Sequence, residues 1–259
     1  MSVIVAPLVR RLDTLGDFFR FAGRALASIF KRPFAWQEAL VQAAILARVV
    51  MLPTALVAIP LGAVVALQVG SLTQQLGAES FSGAASVVAI LREGAPMATA
   101  LLLAGAGGSA ICADFGARRI REEIDAMEVL GIDVIKRLVA PRLVGAILVS
   151  VAVTALVMGV GIGGGYFFNV VLQHGTSGVY VASFRALATL PDIWVSLAKG
   201  FVFGVIIAIV GSYKGLRAGG GPRGVGQAVN ESVITSFLLV FGANYLLSVA
   251  YFQLVPPNA

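Results

Sequence analysis

The amino-acid sequence predicts an all-α integral membrane protein. It would comprise an N-terminal interfacial amphipathic helix and five transmembrane helices, with a charged cytoplasmic helix between spans two and three. Three observations predict this. Mean hydropathy is +0.93 and only 12% of the 259 residues are charged, against about a quarter in soluble domains. Five apolar segments approach the roughly 20 residues that a spanning helix needs. Strand-like alternation of apolar and polar residues is absent, which excludes a membrane barrel.

Taken in order, Leu8, Leu12, Leu15, Phe19, Ala22, Leu26 and Ile29 recur at spacings of three and four, the signature of an amphipathic helix over 8–30. A soluble helical hairpin would show the same stripe. Beside a span, with arginines flanking leucine and phenylalanine, a helix lying in the membrane interface is the expectation. The spans are placed at 49–69, with Pro53 and Pro60 inside, and at 95–113, 143–172, 195–212 and 233–255. Gly200, Gly204 and Ala208 stand four apart, as do Gly161 and Gly165 and also Gly105 and Ser109. Such spacing permits close helix approach in lipid, within the chain by default, although a dimer seam would look the same.

Basic residues set the expected orientation. Seven lie before the first span (Arg10, Arg11, Arg20, Arg24, Lys31, Arg32, Arg48) and six lie between Asp114 and Arg142 (Arg118, Arg119, Arg121, Lys136, Arg137, Arg142). Lys214, Arg217 and Arg223 separate spans four and five, leaving only Arg92, Arg185 and Lys199 for the other side. The positive-inside rule then places the N-terminus in the cytoplasm and "QLVPPNA" outside. Asp13 and Asp17 interrupt the first twenty residues, so no cleavable signal peptide is expected.

Several chemistries find no support. Cys112 and His174 are the only residues of their kinds, which removes disulfide frameworks, thiolate metal clusters and histidine-based hydrolysis. "RAGGGPRGVG" has the glycines of a phosphate loop but no lysine followed by Ser or Thr, and HExxH and GxSxG are missing. No catalytic residue, metal site or bound cofactor is expected in this chain. Any energy for uphill movement must come from another chain or an ion gradient. The net charge of +6 reflects cytoplasmic loops, and no basic stripe interleaved with aromatics suggests nucleic acid. Within the spans no buried carboxylate or histidine relay is evident, which weakens a proton-coupled transporter.

The densest charge cluster is "RRIREEIDAMEVLGIDVIKRL", 118–138. Ile120, Ile124 and Met127 fall at helical spacing, with Arg118/Glu122, Arg119/Glu123 and Arg121/Asp125 as i,i+4 pairs in the weaker base-before-acid order. Gly131 suits a left-handed position ending this 118–131 helix, and Asp133 suits the N-cap of the next. Two readings stand: a solvated connector, or a docking helix for a soluble partner.

The segment from Leu91 to Leu143 resembles the MlaE/YrbE family, permease subunits of ATP-binding-cassette lipid transporters that work with MCE-domain proteins. "LREGAP" (Leu91–Pro96) is similar to the family's Arg-Glu-x-x-Pro element, and "LLLAGAGGSAICADFG" (Leu101–Gly116) to its AG-x-x-GSA-x-x-AE-x-G run. "REEIDAMEVLGID" (Arg121–Asp133) is similar to EQIDALEVMGVD and "LVAPRLVG" (Leu138–Gly145) to LVVPRVLA. The spelling of the loop and of "GGGPRGVGQAVNES" most resembles the actinobacterial YrbE branch. Ala106, Asp114, Val134 and Asn244 depart from common family residues, as in a diverged paralogue.

The resemblance implies a membrane subunit of a lipid transporter in the bacterial inner membrane. It would pair with a second permease subunit, a heterodimer being favoured, with two ATPase subunits that carry ATP and Mg, and with MCE proteins outside. Arg121, Glu122, Glu123, Asp125, Met127, Glu128, Gly131 and Asp133 would form the coupling segment read by the ATPase. Arg92 and Glu93 match a position near the lipid path, where a lipid-facing role and an ion pair capping the helix are both open. Asn244 and Ser248, one turn apart, would face the cavity or hydrogen-bond across helices. A gradient-driven secondary transporter and a non-transporting membrane scaffold are the alternatives.

Overall fold

The computed structural model describes residues 2–77, 81–172, 176–178, 180–182 and 189–254. Helix α1 (Ser2–Ile29) precedes α2 (Trp36–Gln75), α3 (Ser82–Ile120), the short α4 (Glu123–Val129), α5 (Ile135–Val171), α6 (Leu190–Leu216) and α7 (Gly221–Leu254). No strand occurs among the described residues, and α2, α3, α5, α6 and α7 are each long and apolar enough to cross a membrane. Each outruns the apolar window read from the sequence, because a helix continues through its charged ends: α3 runs on to Arg118 and Arg119, and α5 begins before Lys136 and Arg137. Val255, the tail beyond it, His174 and Arg185 lie outside the described residues.

Proline does not stop α2 at Pro53 or Pro60. Prolines are tolerated inside membrane spans, and beside Pro53 the Thr54 hydroxyl donates to the Val50 carbonyl at 2.6 Å, next to the Val49 carbonyl that Pro53 leaves without an amide donor. In α3 two π-helical turns, Ile90–Gly94 and Leu103–Gly108, interrupt the α geometry. Such wide turns carry one residue more than an α turn and recur at functional sites.

The core runs along α5, which packs against α2 on one side and α6 on the other, with α7 outside α6. Small residues allow this. The Gly161 carbonyl lies where a side chain on Gly62 would be, and a Cβ added to Gly204 would lie 3.0 Å from the Ile147 Cα. Gly200, Gly204 and Gly161 therefore serve contacts within the chain, whereas a side chain on Gly105 would meet open space. At Gly145 an added Cβ would approach the Ala43 amide nitrogen at 2.9 Å and the Ala39 carbonyl at 3.0 Å. Gly145→Val must push α2 from α5. A loss on the order of 1–3 kcal/mol is expected, read as a lowered unfolding midpoint of the detergent-purified protein, and an unchanged midpoint would show that these helices separate freely.

Helix α1 lies against the bundle on a stripe that shares only Ala22 and Ile29 with the described part of the one the sequence suggested. Phe18, Phe21, Ala22, Ala25, Ser28 and Ile29 face inward, while Leu15, Phe19 and Leu26 are exposed. The helix has two apolar edges, and periodicity does not say which one meets protein. Tyr213 of α6 anchors the inner edge, edge-on to Phe18 at 5.1 Å and Phe21 at 5.5 Å, with Arg217 stacked over its ring at 4.0 Å.

Candidate functional site

Two constellations of polar side chains stand out, one at each end of the bundle. The first lies far from the charged loop, where the π turn Ile90–Gly94 of α3 meets the start of α6 and the end of α7. Lys199 sits about nine residues into α6, roughly 14 Å along its axis, and is 2% exposed. An ammonium has three donors, and all three are used: the Arg92 carbonyl, Glu93 Oε1 and Ser248 Oγ each accept at 2.8 Å. Glu93 in turn accepts from Asn244 Nδ2 at 2.8 Å and from Ser248 Oγ at 2.7 Å. A carboxylate only accepts, so Asn244 must present its amide nitrogen here.

Beside this lies a second ion pair. Asp192, fully buried, accepts from Arg92 Nε at 2.6 Å and from the Tyr251 hydroxyl at 2.6 Å. Its other oxygen accepts from the Thr189 amide and hydroxyl at 3.0 and 2.9 Å, completing a capping box that opens α6. Arg92 also faces the rings of Tyr251 and Phe252, at 5.4 and 5.8 Å. Ser196 donates to the Leu91 carbonyl. Neighbouring residues on one wide turn thus reach separate acidic and basic partners on α6, and three spans are tied at one level.

Four of the sequence-derived residues (Arg92, Glu93, Asn244 and Ser248) come together here, bonded across helices. Lys199 and Asp192 were missed. The basic-residue distribution assigns Lys199 to the outer side, and the absence of an evident buried carboxylate is corrected: Lys199 is buried within α6, where Glu93 pairs with it across helices, and Asp192 is fully buried. A lysine inside the apolar run 195–212 was the available signal, since such residues in a span are paired or functional. The "TLPD" run at Thr189–Asp192 was the available signal for the cap.

The second constellation is the loop. The single helix expected over 118–131 is instead two pieces: α3 ends at Ile120, and Glu122 takes a left-handed φ of 59° before α4 begins. The predicted i,i+4 pairs are absent. The fold-back lets Arg118 reach Glu123 at 3.4 Å and Arg119 reach Asp125 at 2.5 Å, with Arg121 on Glu123 at 2.8 Å. Ile124, counted in the docking edge, is 2% exposed and roots α4 to the bundle.

The far end of α4 is closed by a Schellman motif. Gly131 sits at φ 72°, its amide donates to the Glu128 carbonyl, and the Ile132 amide donates to the Met127 carbonyl at 2.9 Å. Asp133 Oδ1 accepts from the Ile135 and Lys136 amides at 3.0 and 3.2 Å, starting α5. Val129 is 88% and Leu130 74% exposed, and Glu122 and Glu128 make no ion pair among the described residues. Of the proposed coupling residues, Glu123 and Asp125 are held internally, Met127 is half-buried, and Glu122 at the start of α4 and Glu128 near its tip make no ion pair among the described residues.

Five long apolar helices without a phosphate loop, polar ties between spans and a protruding charged loop describe a multi-pass membrane protein of the permease class. The family described as Permease MlaE matches residues 39–250, and the chain belongs to that family. It is 31% identical over 246 residues, 95% of each chain, to a probable ABC transporter permease protein of Rickettsia bellii. A probable ABC transporter permease protein of Synechocystis is 36% identical over 192 residues, covering 74% of this chain and 73% of its own. The chloroplastic protein TRIGALACTOSYLDIACYLGLYCEROL 1 of Arabidopsis thaliana is 30% identical over 184 residues, 69% of this chain and 51% of its own. The protein is a membrane permease of an ABC-type transporter.

Proposed function

We propose that this permease moves a lipid or fatty acid between the membrane or cytoplasm and an MCE-protein tunnel, driven by ATP hydrolysed on partner chains. Two ATPase subunits carrying ATP and Mg dock on the segment Arg121–Asp133, and a second permease subunit, a diverged paralogue, completes the membrane part. The chain sits in the bacterial inner membrane with its N-terminus cytoplasmic and its C-terminus outside, and it has affinity to the actinobacterial YrbE branch. Family membership supports the class of cargo, as does a relative whose name is that of a galactolipid.

The observation that carries the coupling reading is the tip of α4. A short helix clamped by internal salt bridges presents Val129 and Leu130 to solvent beside the unpaired Glu128, with the unpaired Glu122 at its other end. A solvated connector has no use for two bare aliphatic side chains at its apex. An ATPase groove that buries them and meets the acids with bases would both bind and be able to push. The Gly131 turn and the Asp133 cap then pass that push into α5.

The test changes only the tip. Glu128→Lys with Leu130→Glu leaves every clamp in place. It is expected to weaken ATPase recovery in co-purification by about 2 kcal/mol or more, roughly thirtyfold, while the permease elutes unchanged. Undiminished ATPase recovery would rule out the tip as the docking element. ATP-independent transport by this chain alone would favour the secondary-transporter reading.

A further inference from the structure

We propose that Arg118 and Asp114 are positioning residues that link α4 to the loop ends of α2, α3 and α5, so that these spans respond when the ATPase displaces α4. The link presupposes that α4 is the docking element, and it adds a side-chain route to the backbone route through Gly131 and Asp133.

A continuous line of hydrogen bonds runs from α4 across three spans. Glu123 Oε2 on α4 accepts from Arg118 Nη1 at 3.4 Å. Arg118 Nε donates to Asp114 Oδ2 at 3.1 Å, one turn earlier on α3. The same oxygen accepts from Nη2 of Arg142 on α5. Arg142 Nε donates to Gln42 Oε1 of α2 at 3.0 Å, and Gln42 Nε2 donates to Glu38 at 2.7 Å. Arg121 occupies the remaining oxygen of Glu123 at 2.8 Å. The line sets three carboxylates (Glu38, Asp114 and Glu123) against three guanidiniums (Arg118, Arg121 and Arg142). Its charges balance within the chain, so its use lies in what it connects.

The membrane side of the line is firm. Arg142 is 7% exposed, and its guanidinium lies 4.3 Å from the ring centroid of the fully buried Phe115. Pulling it from Asp114 would strand a buried charge, so α3 and α5 move together at this level. The loop side is hinged. Helix α4 sits between two left-handed residues, Glu122 at φ 59° and Gly131 at φ 72°. Burial of Ile124 is non-directional, so the ion pairs set the angle of α4. The Arg119–Asp125 pair stops at the last turn of α3. Among the described residues, Arg118 alone joins an acid of α4 to an acid that also holds another span. The Arg118 and Glu123 side chains are 28% and 38% exposed, so breaking their contact should cut the response severalfold rather than abolish it.

The intact complex in nanodiscs would be trapped with ATP and vanadate, and hydrogen exchange compared with the nucleotide-free state. Trapping is expected to change exchange in α4 and in the loop ends of α2 (36–46), α3 (109–116) and α5 (135–145). Arg118→Met cuts the line between Glu123 and Asp114 but leaves Arg142 its counter-charge, so elution and ATPase recovery should be unchanged. The α4 response should persist, and part of the α5 response should survive through the Gly131 turn. The α2 and α3 responses should fall by roughly threefold or more. Arg118→Lys keeps a charge between the two carboxylates and should restore more than half of them. Arg119→Met loosens α4 equally but breaks only the pair that stops at α3, so the α2 response should stay. An undiminished α2 response in Arg118→Met, or an equal loss of it in Arg119→Met, would overturn the link while leaving α4 as the docking element. An α4 that does not respond in the unsubstituted complex would overturn the docking reading and the link with it.

Discussion

Glu93→Ala is expected to be the most damaging single substitution in the spans, at about 3–5 kcal/mol. It removes the only counter-charge of Lys199 among the described residues, and the Lys199 side chain is 2% exposed against 45% for Glu93. The ammonium would keep one carbonyl and one hydroxyl and no anion. The reverse change, Lys199→Met, leaves a carboxylate that can still hydrate or protonate, so its cost is smaller, about 1–3 kcal/mol. The double change Glu93→Gln with Lys199→Met removes both charges and should recover most of the loss. Thermal unfolding of the detergent-purified protein reads this order, with shifts of roughly 2–4 °C per kcal/mol for a chain near this size. If the double variant is as unstable as Glu93→Ala alone, the pair is not what holds α3 to α6.

Asp192→Ala ranks second, at about 3 kcal/mol, combining a broken ion pair, discounted because the Arg92 side chain is 29% exposed, with the roughly 1 kcal/mol of a lost cap. Asp192 accepts from Arg92, Tyr251 and Thr189, so its removal releases the first turn of α6 and the last turns of α7 together. Hydrogen exchange should accelerate in both places, around 190–196 and near Tyr251, with α4 unaffected. Asp192→Asn keeps an acceptor and should restore about half of the protection. Acceleration confined to α6 would show that Tyr251 does not depend on this carboxylate.

What the sequence revealed follows the range of the interactions involved. A span is a one-dimensional property of some twenty residues, so five apolar helices could be read off directly, though not their charged ends. The turn at Gly131 and the cap at Asp133 were also legible, because their bonds reach only a few residues. The break at Glu122 was not, since nothing local demands a left-handed glutamate. The polar network needed knowledge of which helices are neighbours. Arg92 and Asp192 are 100 positions apart, and Glu93 and Lys199 are 106 apart, so half of each pair was noticed without its partner. The same holds for Asp114 and Arg142, which pair across 28 positions.

The wide turn at Ile90–Gly94 has a consequence for the helix as a register. An inserted residue in an α-helix turns everything beyond it by about 100°, which would carry one face of a span away from its neighbours. A π turn confines such an insertion to itself. The helix on either side of Arg92 and Glu93 therefore keeps its faces as though one residue fewer lay between them, and the second wide turn at Leu103–Gly108 does the same again. The added length is spent locally, in placing two adjacent side chains toward α6. The α3 span can thus lose a residue at either of these two places, closing the wide turn to an α turn, without realigning the rest of the bundle.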